Sequence, residues 1–218
     1  MNYLLEVRQV SKCYGEERIL NDVSLALAPG QALAITGPSG GGKTTLLSII
    51  GLLQQATSGT VLIDGQDTGG LEPRQQTALR AAHFGFVFQR ARLIHSLTAL
   101  ENVMVPAWLT REGKAAAARA QELLVRFGLA QRLDYRPQEL SLGQLRRVAL
   151  ARALLLSPKV ILADEPTNDL DPAAAAEVAD SLLETCGRGT GLILVTHDPG
   201  LAGRTDRNLC LEQGRLIE

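Results

Sequence analysis

Apolar and polar positions along the chain follow two periods, and the changes between them separate strands from helices. Residues 4–10, 31–36, 60–64, 84–88, 160–163 and 192–196 are short apolar or β-branched segments, joined by two more at 207–212 and 215–217. The runs at 160–163 and 192–195 are apolar throughout, as expected of central parallel strands covered on both faces. The N-terminal segments lie closer to strict alternation, which suits antiparallel strands with one wet face.

Between Thr98 and Leu156 the period becomes helical. Thr98-Ala99-Leu100-Glu101 has the form of a capping box, and an Ala- and Leu-rich stretch at 114–127 stops at Gly128. Ser141 is placed to cap a helix whose Leu145, Val148, Ala149 and Leu155 share one face before Pro158 ends it. Asp171 and Pro172 read as the N-cap and first residue of another helix, ending near Gly187. The pattern predicts one α/β domain over 1–218, with a core at about 1–89 and 158–218 and a mostly helical part at about 90–157.

At 218 residues and 45% hydrophobic, the chain can bury a sizeable core, which excludes a disordered protein. A formal net charge of -1 offers no basic field for nucleic acid, and none is expected as a partner. The odd set Cys13, Cys186 and Cys210 has neither disulfide nor zinc spacing, so these read as packing residues in a reducing compartment. His83 and His95 read as surface or loop histidines, and the mixed charges at 111–132 as a solvated helix face. The N-terminus lacks the pattern of a signal peptide, and no apolar run approaches the roughly 20 residues of a membrane span.

Gly37, Pro38, Ser39, Gly40, Gly41, Gly42, Lys43 and Thr44 complete a G-x-x-x-x-G-K-[ST] phosphate-binding loop, with an apolar strand before it and a helical stretch at 45–53 after it. Glycines let the backbone approach a triphosphate, so that consecutive N–H groups and a helix N-terminus face the anion. Lys43 is expected to reach the β- and γ-phosphates of ATP or GTP, Thr44 to supply a hydroxyl to Mg²⁺, and Thr45 to belong to the same nucleotide-binding set. The strand at 160–163 ends in two carboxylates, Asp164 to hold Mg²⁺ and Glu165 to serve as the base that polarises attacking water.

Leu140-Ser141-Leu142-Gly143-Gln144 resembles the LSGGQ signature of ABC transporter ATPases, and it lies between the phosphate loop and the acidic strand end, in that family's order. The resemblance runs from Leu4 to about Glu218 and implies the ABC-ATPase variant of the P-loop NTPase fold: a central, mostly parallel sheet, an N-terminal antiparallel β region and a helical subdomain. It further implies that Tyr14 stacks on adenine, that Gln89 senses metal and water, that 168–171 forms the D-loop, and that His197 contacts the γ-phosphate. Ser141, Gly143 and Gln144 would face the nucleotide held by a second subunit, so a homodimer or paired ATPase is expected with ATP bound. The sequence departs from the pattern at Leu142, at Gly41 where serine is frequent, at Leu145 and Arg146 where glutamines are frequent, and at Asn168-Asp169.

Residues 84–89 and 97–103 are similar to ATPases of the lipoprotein-releasing and macrolide-exporting subfamily. That likeness implies transmembrane permease subunits as partners and a place on the cytoplasmic face of the inner membrane. Arg90, Arg92, Leu93 and Ile94 would form part of the groove that receives the permease. Two other functions fit parts of the sequence: a soluble ABC-type ATPase acting on DNA or ribosomes, and a regulatory module that binds ATP without turnover. The single nucleotide domain without a basic extension argues against the first, and the full set Lys43, Asp164, Glu165 and His197 against the second.

Overall fold

The computed structural model describes residues 3–110 and 113–217, with the backbone alone at 113–115. Met1, Asn2, Arg111, Glu112 and Glu218 lie outside the described residues, so the expected solvated face is followed from residue 116 onward.

The chain enters through β1 (Leu5–Tyr14) and β2 (Glu17–Leu27), then forms β3 (Ala32–Thr36) and α1 (Lys43–Ile50) before β4 (Ser58–Ile63) and β5 (Gln66–Asp67) return to the first sheet. That sheet is antiparallel, ordered β2-β1-β4-β5. Next come α2 (Pro73–His83), β6 (Phe84–Val87), α3 (Ala99–Thr110), α4 (Gly113–Arg126) and α5 (Leu142–Leu154). The chain closes with β7 (Val160–Asp164), α6 (Pro172–Cys186), β8 (Gly191–Val195), α7 (Pro199–Ala202), β9 (Arg207–Glu212) and β10 (Arg215–Ile217). The second sheet has six strands ordered β10-β9-β3-β8-β7-β6, parallel except for the β9–β10 hairpin.

Both faces of β3, β6, β7 and β8 are buried, which is why these strands carry no polar alternation. Leu33, Ile35, Leu162 and Ile193 face one apolar cluster, shared with Leu46 and Ile50 of α1 and Leu5 and Leu20 of the antiparallel sheet. Ala32, Ala34, Ile161 and Leu192 face the other, shared with Val103, Leu124, Val148, Leu150 and Leu182 from the helices. Each fully buried leucine in these clusters contributes roughly 1.5–3 kcal/mol.

β1 is longer than the alternation suggests and β2 escapes it altogether, for a common reason. Gln9 (φ 50) and Asp22 (φ 57) break the register, so that Val7 and Val10, like Leu20 and Val23, are buried three positions apart instead of two. Hydroxyls repair the interrupted ladder: Gln9 N–H donates to Ser24 Oγ at 2.9 Å and Asp22 N–H to Ser11 Oγ at 3.0 Å. α2 went unanticipated because none of its residues is buried; its start is marked by a Glu72–Gln75 capping box and Pro73 instead.

The expected helix starts hold at their caps. Thr98 and Glu101 exchange both capping bonds, Ser141 and Gln144 do the same, and Asp171 caps α6 by accepting from Ala173 and Ala174. The helix after the phosphate loop is shifted: it starts at Lys43 and ends at Ile50, where Gly51 caps it, rather than running over 45–53. His83 is not a surface or loop histidine. It ends α2 half-buried, with Nδ1 against Leu79 O at 3.0 Å and Nε2 against Asp64 Oδ2 at 3.1 Å. His95 is exposed, and the three cysteines are half-buried free thiols. On α4, Arg119, Gln121 and Glu122 do face solvent, while Arg126 turns inward to pair with Glu184 at 3.0 Å.

Candidate nucleotide site

The parallel sheet brings the chemistry together at one edge. In the order β3-β8-β7-β6, the phosphate loop follows β3, His197 lies beyond β8, Asp164 ends β7, and Gln89 lies beyond β6. All are at the carboxyl ends of parallel strands, where α/β sheets open a crevice for ligands.

The loop's shape rests on two glycines. Gly37 has φ 134, and a Cβ there would lie 2.3 Å from Leu211 O; Gly42 has φ 91, and its Cβ would lie 2.9 Å from Ile19 Cγ2. The adjoining strands β9 and β2 thus press on the loop and restrict both positions to glycine. Lys43 is buried, and its ammonium donates to Gly37 O and Pro38 O at 2.8 Å each, holding the loop closed beneath the helix start. An ammonium has three donors, so one remains for a phosphate oxygen. The departure at Gly41 is a steric fit: a Cβ there would sit 3.0 Å from Pro38 O.

Thr44 stands at the second position of α1 and donates its hydroxyl to Asp164 at 3.0 and 3.2 Å to the two carboxylate oxygens. Burial raises the Asp164 carboxyl above the ordinary range despite that bond. The neighbouring Glu165 charge acts in the same direction, and Lys43 and Arg92 oppose it. Glu165 has φ 45, a left-handed conformation uncommon for a residue with a side chain, and its N–H is fixed on Val195 O at 2.9 Å. Strain at this residue aims its carboxylate across to the end of β8, where Oε2 lies 2.9 Å from His197 Nδ1 and accepts from His197 N–H at 3.3 Å.

A cavity of about 360 Å³ joins these groups, lined among others by Tyr14, Ser39, Gly40, Gly42, Lys43, Thr44, Thr45, Gln89, Asp164 and Glu165. Tyr14 is 48% exposed at its rim, with the Lys12 ammonium 5.1 Å from its ring centroid and Gln54 Nε2 on its hydroxyl. A second cavity of about 700 Å³ shares Thr44, Gln89 and Asp164 and continues to Arg90 and Arg92. Ser141, Gly143 and Gln144 line neither cavity: they open α5, with Ser141 exposed and Gly143 buried close to Ala174.

Two arginines complete the surroundings of Gln89. The sequence marked Arg146 only as a departure and passed over Arg152. Both lie on α5 and bind carbonyls of the segment after β6: Arg146 at Phe88 O (3.0 Å), Arg152 at Ala91 O and Arg92 O (2.8 and 2.9 Å). The signal available in the sequence was an arginine set between Leu145 and Val148, two positions read as the apolar face of that helix. Of the residues expected in the partner groove, Leu93 is partly buried against the helical core and Ile94 is exposed.

Residues 20–168 match the ABC transporter family. The chain is 46% identical over its whole length to the macrolide export ATP-binding/permease protein of Salmonella typhimurium, of which it covers 34%. It spans about a third of the length of such relatives. With the lipoprotein-releasing system ATP-binding protein of Rhodospirillum rubrum it shares 43% identity over 98% of this chain and 97% of that one. A bacterial ABC transporter cassette solved as a dimer superposes with a TM-score of 0.90 at 38% identity, covering 98% of this chain and 97% of the other. A cassette in a post-hydrolysis state bound to ADP and phosphate gives 0.87 at 36%, with the same coverage. The chain that carries the phosphate loop, the Asp164–Glu165 strand end and the helix opened by Ser141 therefore belongs to the ABC transporter family.

Proposed function

We propose that this chain is the ATP-hydrolysing subunit of a transporter, energising a separate transmembrane permease of the lipoprotein-release or efflux type. The observation that supports it most is the convergence, at one sheet edge, of a phosphate loop, a Thr44–Asp164 pair and a Glu165–His197 pair. In this reading Tyr14 stacks on adenine, residues 37–45 hold the phosphates, and Lys43 offsets their charge with its remaining donor.

Mg²⁺ fits the residues present. Thr44 and Asp164 offer hard oxygen donors held 3.0 Å apart, the half-buried Asp164 carboxylate gains from a cation, and Gln89 borders the same space. When bound, the ion neutralises phosphate charge. Glu165 accepts a proton from the attacking water, and its contact with His197 Nδ1 fixes the orientation of the carboxylate. His197, 65% exposed, is free to turn to the phosphate itself.

The signature residues serve a second copy in this reading, giving a homodimer or paired ATPase with ATP between subunits. An apolar groove of about 670 Å³ between Phe84, Phe86, Val105, Pro106, Leu109 and Leu156 suits a helix of the permease, with Leu109 81% exposed at its edge. In this reading the subunit sits peripherally on the cytoplasmic face of the inner membrane, where its permease would be; among the described residues no helix is long and apolar enough to cross a membrane. The test is Mg²⁺-dependent phosphate release from ATP by wild type and Glu165→Gln, with sizing in ATP and cysteine crosslinking from Leu109 to the permease. A wild type unable to hydrolyse ATP with or without its permease would overturn the reading.

A further inference from the structure

Arg146 is a buried cation, 6% exposed, on α5. Its two terminal nitrogens go to two different loops. Nη1 donates to Phe88 O at 3.0 Å, one residue before Gln89, and Nη2 reaches Asn168 O at 3.4 Å, three residues after Glu165. Asn168 N–H in turn donates to Glu165 O at 3.2 Å, so the guanidinium is one hydrogen bond removed from the backbone of the proposed base. Burial lowers the affinity of Arg146 for its proton, and the Asp169 charge nearby opposes this. Asp169 is itself fixed, at φ 63, by a 3.0 Å bond from Asn168 Nδ2. Two departures that are unrelated in sequence, Arg146 and Asn168-Asp169, thus form one arrangement.

We propose that Arg146 is a positioning residue that locks the Gln89 loop and the Glu165 loop to α5 as one unit, so that the metal-side and water-side groups are set together. A planar fork with donors on two separate terminal nitrogens is well matched to two carbonyls belonging to separate loops. A glutamine or a lysine would have to serve both carbonyls from a single nitrogen, whereas Arg146 uses Nη1 for one and Nη2 for the other. The helix that carries Arg146 opens with Ser141, so a displacement of that helix end would be transmitted to both loops through one side chain. This inference rests on the functional reading above.

The experiment compares wild type, Arg146→Gln, Arg146→Lys and Asp169→Asn by steady-state ATP hydrolysis, by equilibrium binding of a fluorescent ATP analogue, and by amide hydrogen exchange without nucleotide. In Arg146→Gln, kcat is expected to fall about tenfold with KM and analogue affinity within about twofold, since the phosphate loop is untouched. Lysine should restore little of it. Exchange at 88–92 and 165–170 should rise together, with α1, β3 and β8 unchanged. A rise in one loop alone, a rise across the whole of α5, or an unchanged kcat overturns the lock. A wild type without hydrolysis, alone and with its permease, overturns the functional reading, while the joint exchange response still tells whether Arg146 couples the two loops.

Discussion

Replacing Glu165 by glutamine separates chemistry from folding in this site. The amide has the same shape and can still accept from His197 N–H, now at 3.3 Å, so the local frame is expected to survive. What it loses is the capacity to take a proton from water. General-base catalysis contributes about 10²- to 10⁴-fold, or about 2.7–5.4 kcal/mol of barrier, and kcat should fall by that amount. Two small effects on stability oppose one another. Removing a carboxylate beside the buried Asp164 relieves like-charge repulsion, while the pair with His197, whose side chain is 65% exposed, is worth about 0–1 kcal/mol. In a chain of this size about 1 kcal/mol moves Tm by roughly 2–4 °C, so Tm should stay within about 4 °C of wild type. Phosphate release under single-turnover conditions, read beside a thermal melt and binding of a fluorescent ATP analogue, gives all three quantities. Turnover within tenfold of wild type, at unchanged Tm and affinity, would falsify Glu165 as the base.

Gly37→Ala places a Cβ 2.3 Å from Leu211 O at φ 134, so Tm should drop by at least about 4 °C and ATP binding should be lost; Gly40→Ala, at φ 77 with open space around it, should cost visibly less in the same melt. For Asp64, burial pulls its carboxyl upward but the bonds to Lys159 and His83 outweigh it and hold it below 3.8. A depressed carboxyl contributes stability that is present above the unfolded value and is lost as pH falls through the folded one. Asp64→Asn should therefore flatten the acid limb of Tm below about pH 4 and cost about 1 kcal/mol or less at neutral pH, the pair being partly exposed. MgATP at 100 times its Kd should raise Tm by roughly 5–11 °C, and EDTA should remove most of that gain from wild type. An equal shift with and without the metal would argue against the Thr44–Asp164 pair as its holder.

Legibility in the sequence followed how local each cause is. Caps and continuous apolar runs are written within four or five residues, so Thr98, Ser141, Asp171 and the strands β7 and β8 were readable with small errors at their ends. β2 was lost because Asp22 shifts the phase of alternation, and only the pairing of Asp22 with Ser11 across the hairpin explains why that is tolerated. α2 buries nothing, so periodicity was blind to it. In the site, the phosphate loop and Asp164-Glu165 stood out because their chemistry demands fixed residue types in fixed order. The restriction of Gly37 by Leu211, 174 positions away, and the bridge from Arg146 to Phe88 and Asn168 depend on which strands become neighbours, and no local pattern records that.

The α5 N-terminus, which lines neither cavity, is capped so that part of its donor set stays open. A helix leaves its first N–H groups without intrahelical acceptors. At α5, Gln144 Oε1 takes the Ser141 N–H at 3.0 Å and Ser141 Oγ takes the Gln144 N–H at 3.3 Å. The N–H groups of Leu142 and Gly143, between them, are served by neither bond. The capping box therefore braces the helix start while holding back two donors and the positive end of the dipole, a combination suited to an anion that arrives from outside. Residues 141–144 line neither of the cavities that contain Thr44 and Asp164, so a nucleotide held there does not reach them within one chain. A second copy supplying its own phosphates to this helix end satisfies both facts. On that geometry, the exposed Leu142 side chain, 57% accessible, lies on the surface such a copy would cover. Its apolar area would then add to closure where glycine offers none, so Leu142→Gly should weaken ATP-dependent dimerisation in sizing experiments while leaving the ATP affinity of the single chain unchanged.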